Sequence, residues 1–348
     1  MTEIINYNQI ENYLKEILDI PSPTGNTKKA TAYITGHLEA LGIPYEITNK
    51  GAVIATLKGK NQAYERGFSA HIDTLGAMVK EIRSQGSLSI IPVGGFMMTS
   101  IDGENCTIET LEGKSYSGTI QTVKPSVHVH GQEAKELKRT PENMEVILDE
   151  KVDSKEAVEA LGINIGDFIS FETRTVFTPS GFIKSRHLDD KASTAILLYV
   201  IEHLVKNNIQ LPYTLSFFFS NFEEVGHGAS SGHSKNIKEF IAVDMGAPGK
   251  GQNSTEFAVC ICAKDSSGPY DLDLRKKLVK LCKDKDIAYK IDIYPNYGSD
   301  ASAALSAGWD FKTALIGPGV FASHAYERTH KEALIATAQL ILEYSTLE

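Results

Sequence analysis

Five places along the chain set metal-type ligands at the end of a predicted strand or the start of a predicted helix. They are His71 with Asp73, Asp189 with Asp190, Glu223 with Glu224, Asp244, and His324. The most pointed is SFFFSNFEEVGHGAS, residues 216–230, where an almost wholly apolar run ends in two adjacent carboxylates and a loop of small residues. A buried strand that delivers two acids to its carboxyl end is costly unless something cationic waits there. Mixed histidine and carboxylate ligands without cysteine suit zinc, cobalt or manganese in a hydrolytic site. Two such ions can share a bridging carboxylate and a bridging water, lower that water's pKa and polarise a carbonyl.

Taken singly, each place also has an architectural reading. Asp189-Asp190 before an apolar helix fits an N-cap with a favourable helix-dipole charge. Glu223-Glu224 fits a solvated loop, Asp244 before Met-Gly-Ala-Pro fits a turn, and a single strand-end histidine is commonly a hydrogen-bonded structural residue. Their number and placement argue for chemistry, because an open α/β sheet supplies ligands from several loops at its carboxyl edge. No cysteine or serine has a convincing nucleophilic partnership. Adjacent Glu223 and Glu224 cannot readily flank a glycosidic bond, which argues against carbohydrate hydrolysis.

The elements that must position these residues are set by periodicity. Apolar residues at helical spacing predict helices over residues 8–18 and 27–41, divided by PSPTG. Short β runs come next, the second of them GFSAHID. Between about residues 76 and 164 the runs become short and alternating (AMVKEI, SLSIIPV, CTIETL, SYSGTIQTV, SVHVH), with only residues 154–161 helical. That block reads as an inserted small β-barrel or sandwich domain, residues 76–164, in an α/β chain of residues 1–75 and 165–348. Beyond it, a strongly apolar helix over 190–205 is followed by strands over 214–220, 240–244 and 257–263 and a helix over 272–282. A strand at 289–293, a short helix from Ala301, a strand at 312–316 and a final helix over 331–344 complete the pattern. Apolar strands alternating with helices predict an α/β fold with a largely parallel, helix-covered sheet.

Composition narrows the class. With 35 Lys plus Arg against 44 Asp plus Glu, a net charge of -9, no basic run points to a nucleic-acid partner. The cysteines, Cys106, Cys260, Cys262 and Cys282, have no CxxC spacing and read as packed free thiols. The acidic amino terminus lacks the pattern of a signal peptide, and no uncharged apolar run approaches membrane-spanning length. A cytoplasmic location without membrane attachment is the expectation.

Seven segments together carry a resemblance: AHIDTLGAMV, GDFISF, HLDDKAS, NFEEVGHGA, AVDMG, NYGSDASA and SHAYERTH, in this order from Ala70 to His330. The chain resembles the di-metal aminopeptidases of the glutamyl aminopeptidase family, which include the tetrahedral, TET-type particles. The resemblance implies two divalent metal ions per subunit, with zinc or cobalt favoured over manganese. It implies His71 and Asp244 on one metal, Glu224 and His324 on the other, and Asp189 bridging them. Asp73 would be the carboxylate that fixes the His71 imidazole, and Glu223 the general base acting on the bridging water. It further implies a cis peptide between Asp189 and Asp190 and an acidic residue, Asp300, near the substrate pocket. Lys191 stands where the family often has arginine. His330, a second histidine near His324, reads as a helix-start residue.

The function so implied is a metal-dependent aminopeptidase that removes amino-terminal residues from short peptides. An N-acyl-amino-acid deacylase or a carboxypeptidase could use the same site, and a non-enzymatic assembly protein is the alternative from another class. The β-rich insertion sits where the family carries its dimerisation domain, so the resemblance implies a homo-oligomer, a dimer or a tetrahedral dodecamer. Lys191 and the loops around Asn296 and Pro318 are the candidate specificity determinants.

Overall fold

The run Leu215–Phe219 is apolar at every position but one because its strand, Tyr213–Ser220, is buried on both faces. Alternation along a strand sends successive side chains to opposite sides. Leu215, Phe217 and Phe219 therefore join one core and Phe218 another. The first core lies under the helices Tyr7–Leu18, Leu188–Lys206 and Lys331–Thr346. The second, with Phe240, Leu315 and Tyr294, lies under the short helix Asp300–Ser306. Each buried phenylalanine contributes roughly 1.5–3 kcal/mol, enough together to hold a strand whose end carries two acids.

The computed structural model describes residues 5–348. The chain divides into two compact units, one made of the chain up to Asp73 and of Arg174–Glu348, the other of Thr74–Thr173. In the first, eight strands form a sheet in the order Tyr45–Ile47, Val53–Leu57, Tyr213–Ser220, Asn61–His71, Ile237–Val243, Lys312–Pro318, Val259–Lys264, Tyr289–Ile293. The four middle strands, from Tyr213–Ser220 to Lys312–Pro318, run parallel. Antiparallel pairings join Val53–Leu57 and Val259–Lys264 to either side of them. The sheet is thus parallel at its centre, where both faces are covered, and mixed at its flanks. The helix Leu188–Lys206, buried over most of its length, packs on one face. Its buried Glu202 accepts hydrogen bonds from Tyr13 and Gln9 of the first helix and pairs with Lys206.

The second unit is a closed six-stranded barrel, in the order Gly76–Ile82, Leu88–Val93, Met144–Leu148, Ser115–Thr122, Asn105–Glu109, Phe168–Phe171. Its last strand, from the segment GDFISF, pairs with both neighbours and so closes the barrel from beyond residue 164. One segment of this unit departs from the sequence expectation. The alternating run SVHVH is helical at Val127–His130, and a second short helix, Gln132–Glu136, comes directly after it. Both valines are exposed, so the alternation has no buried face to hold it as a strand. Among the described residues, no helix is long and apolar enough to cross a membrane.

Candidate active site

Parallel register brings the chemistry together. Ser220 pairs with His71 and Ser69 with Ala242, so three adjacent strands end at one level. His71 closes the middle strand, Glu223 and Glu224 lie just beyond the strand on one side, and Asp244 just beyond the strand on the other. Helix dihedrals or propensity play no part in this; register alone sets residues more than 150 apart in sequence side by side. Gly317, on the fourth parallel strand, lets that backbone approach closely. A Cβ there would sit 2.0 Å from the Asp244 carbonyl oxygen, and the Asp244 N–H donates to Ile316 at 2.8 Å.

His71 is buried, and the backbone two residues along holds its ring. Nδ1 lies 2.8 Å from the Asp73 backbone carbonyl. A carbonyl only accepts, so Nδ1 carries the proton and Nε2 is left facing the acids. The Asp73 carboxylate, expected to hold the imidazole, is 3.8 Å from Nδ1 and works elsewhere. It accepts the Thr24 hydroxyl at 2.6 Å and the backbone N–H groups of Glu223 and Glu224 at 3.2 and 3.3 Å. The Ile72 N–H donates to the Ser220 carbonyl at 2.9 Å, so the pairing of the two strands runs one residue past His71. Asp73 thus orients the imidazole through its backbone and the two glutamates through its carboxylate.

Asp189 and Asp190 enter from the helix start. The peptide between them is cis, as the resemblance implied. Asp190 accepts the His71 N–H at 3.2 Å, and Thr194 donates to the His71 carbonyl at 3.0 Å, tying the helix to the strand end. Asp189 divides its oxygens: Oδ1 is 3.1 Å from His71 Nε2 and Oδ2 is 3.4 Å from His324 Nε2. His324 Nε2 is also 3.4 Å from Glu224 Oε2. Glu223 Oε2 lies 3.7 Å from His71 Nε2, grouped with Asp244. His330 is apart from this cluster, capping the last helix through the Glu332 N–H and bonding the Ser180 carbonyl.

Glu327 is a residue that the sequence reading missed. It is buried, and its two oxygens accept the backbone N–H groups of Asp189 and His324, each at 3.1 Å. A single carboxylate thereby sets the spacing of two cluster residues that come from different loops. The only sequence signal was an acid three places after His324 in SHAYERTH. The backbone around the site is also unusual. Of the seven non-glycine residues with left-handed φ among the described residues, His187, Phe222, Ala322 and His324 lie within two residues of the cluster. Such conformations cost about 1–3 kcal/mol each and gather at functional sites.

The electrostatics of the cluster match its crowding. Burial first, then the charge of neighbouring acids, pushes Asp244 up to about 7 and Glu224 up to about 8. The same causes hold Asp190 and Glu223 well above the carboxylate range. Asp189 goes the other way: burial opposes its ionisation, and the neighbouring imidazoles of His324 and His71 outweigh it. Glu224 Oε1 is buried without a hydrogen-bond partner among the described residues. An orphaned buried acceptor costs about 1–3 kcal/mol. Donor atoms of His71, Asp189 and Glu224 lie within 4.8 Å of one another, as do those of His71, Glu223 and Asp244 and those of Asp189, Asp190 and Asp244. Asp190 Oδ1 is unpaired among the described residues as well, and oxygen and imidazole donors so packed, with two carboxylate oxygens unpaired, fit divalent cations.

A cleft of about 750 Å³ opens beside the cluster, with Asp189, Glu223, Glu224, Asp244 and His324 on its lining. Asp300 is buried beneath it and has a structural duty: Oδ1 accepts the Ala229 N–H at 2.9 Å and Oδ2 the Ser220 hydroxyl at 2.6 Å. Gly228 leaves room for it, since a Cβ there would stand 2.3 Å from Asp300 Oδ1. Lys191 points away from the cleft and donates to the Ile20 carbonyl at 2.5 Å. Of the proposed specificity loops, Asn296 lines the cleft and Pro318 does not.

The family model described as M42 glutamyl aminopeptidase matches residues 51–340. YhfE of Bacillus subtilis (strain 168), which is named as an aminopeptidase, is 52% identical over 331 residues, 95% of each chain. The glutamyl aminopeptidase of Lactococcus lactis subsp. cremoris (strain MG1363) is 27% identical over 235 residues, 66% of this chain and 65% of that one. Among solved structures, the Pyrococcus horikoshii TET1 peptidase superposes with a TM-score of 0.87 at 23% identity, covering 97% of this chain and all of that one (100%). A match over most of the chain, on a mixed sheet with a closed six-stranded barrel, has one reading: the chain belongs to the M42 glutamyl aminopeptidase family and is an exopeptidase.

Proposed function

We propose that the protein is a metal-dependent aminopeptidase acting on short peptides, with His71, Asp189, Glu224, Asp244 and His324 as ligands of two divalent ions. The observation that carries this reading is the divided carboxylate of Asp189, one oxygen towards His71 and the other towards His324. On this reading His71 and Asp244 hold one ion, Glu224 and His324 the other, and zinc or cobalt is the favoured metal. When bound, the pair of ions supplies Lewis acidity towards the scissile carbonyl and lowers the pKa of water. Glu223 takes a proton from the attacking water and passes it to the leaving amine, as a general base and then acid. Asp73 keeps Glu223 in place by accepting its backbone N–H. The surrounding carboxylates favour a substrate whose amino terminus is free and cationic.

Removal of metal tests the reading. Exhaustive chelation is expected to abolish turnover of a free-amine peptide, and added divalent metal to restore it, whereas thiol alkylation leaves the native enzyme active. Burial pushes the thiols of Cys106, Cys262 and Cys282 up to about 12, so they are poor nucleophiles. Full turnover after chelation would sink the mechanism. Assays of amino-blocked and free-amine peptides side by side separate it from deacylation.

The four buried free cysteines support a reducing compartment, the cytoplasm. We also propose self-association through the barrel unit of residues 74–173, as a dimer or a larger particle. The support is exposed apolar side chains on that unit, Met97, Leu111 and Val129 among them. A further support is a neighbour described as assembling into a tetrahedron or a large octahedral shell. Light scattering is expected to give a multimer at micromolar concentration; a monomer would overturn the assembly.

A further inference from the structure

Away from the acids and histidines, serine, alanine and glycine dominate the lining of the cleft, joined by Asn296, Met245 and Tyr297. Among the described residues, no lysine or arginine lines it. One wall is the end of the helix Asp300–Ser306, which turns Ser302, Ala303, Ser306 and Ala307 to the cavity. These positions fall three and four apart, so they form one helical stripe. Every one of them is small.

The nearest fixed charges are already engaged. Lys50 stands behind the loop 227–230 and donates to the His227 carbonyl, to the Gly228 carbonyl at 2.8 Å and to the Ser230 hydroxyl at 3.1 Å. A lysine ammonium has three donors, so these bonds use all of them. Asp300, on the other side of the same loop, has both oxygens occupied by Ala229 and Ser220. The ring of His227 stacks on Phe222. A substrate carboxylate entering here would lose hydration without meeting a lysine or arginine on the cleft wall. A substrate ammonium would find no free acid beyond those of the cluster. A carboxamide or an apolar side chain meets neither penalty, and the serine hydroxyls can pair with the former.

Resting on the aminopeptidase reading above, we propose that this cleft is a neutral specificity pocket, so that the first residue of the substrate is uncharged and glutamate is disfavoured against its isostere glutamine. The helix stripe of Ser302, Ala303, Ser306 and Ala307 is its wall. The test compares the 4-nitroanilides of glutamine, glutamate, leucine and lysine on the metal-loaded enzyme. Glutamine is expected to exceed glutamate, and leucine to exceed lysine, by about 10-fold or more in kcat/KM. Glutamate cleaved as well as glutamine would overturn the neutral pocket and leave the aminopeptidase reading standing. Failure to cleave any of the four would overturn the aminopeptidase reading, and the pocket with it. Ser306 is exposed at the end of the helix, so Ser306→Arg is compatible with the fold. It is expected to raise the glutamate-to-glutamine ratio about fivefold, the scale of one solvent-exposed ion pair. An unchanged ratio would overturn the assignment of that helix as the wall.

Discussion

Glu223→Gln is expected to lower kcat/KM by about 10²–10⁴-fold, the range that general acid-base catalysis contributes, while metal content and thermal stability stay close to those of the parent. The substitution is isosteric, and the backbone N–H of residue 223 still donates to Asp73, so the turn keeps its shape. What is lost is the ability to take up a proton. Glu224→Gln is the informative contrast. Its Oε2 lies 3.4 Å from His324 and its other oxygen is the unpaired one, so this variant is expected to lose metal along with activity. Steady-state kinetics with elemental analysis of the same preparations read both outcomes. Parent-like rates in Glu223→Gln would remove it as the base, and loss of metal there would make it a ligand instead.

Asp189→Asn is expected to remove both metal sites at once. An amide nitrogen has no lone pair to offer, so asparagine cannot present an oxygen to each side as Asp189 does to His71 and His324. Ligand binding stabilises a native state in proportion to the logarithm of concentration over dissociation constant, about 2.7 kcal/mol at a hundredfold excess. The parent protein is therefore expected to melt at higher temperature when metal is added, and Asp189→Asn to show no such rise. Activity should fall with it, by about 10³-fold or more, since the water and the carbonyl lose the same electrostatic support. Calorimetry with and without metal checks the first result. A metal-dependent rise that survives the substitution would show that Asp189 is not the shared ligand.

The elements and the chemistry stand in different relations to the sequence. The helix at Tyr7–Leu18 buries Ile10, Tyr13, Leu14, Ile17 and Leu18, the same residues that mark its apolar face in the sequence. The strand Tyr213–Ser220 was legible from a run too apolar for a surface strand. SVHVH misled because alternation shows where a buried face could be, and nothing local reports whether another element covers it. The candidate ligands were legible as residue types at element ends. The division of tasks among them was not. Asp73 meets the imidazole with its carbonyl and the two glutamates with its carboxylate, and Glu327 joins Asp189 to His324 because two distant loops meet.

At Glu223 and Glu224 the same boundary runs between two neighbouring residues. Composition and periodicity determine that a buried strand ends in two acids, since apolar burial depends on side-chain type and spacing. Their different surroundings depend on packing. Glu224 is turned in towards His324 with one oxygen unpaired, and Glu223 lies at the cleft beside His71 and Asp244. Adjacent residues of identical chemistry carry no local signal that tells them apart. Strand register and the loops carrying Asp189 and His324 set each one's field, because electrostatic interaction depends on distances across the fold and not along the chain.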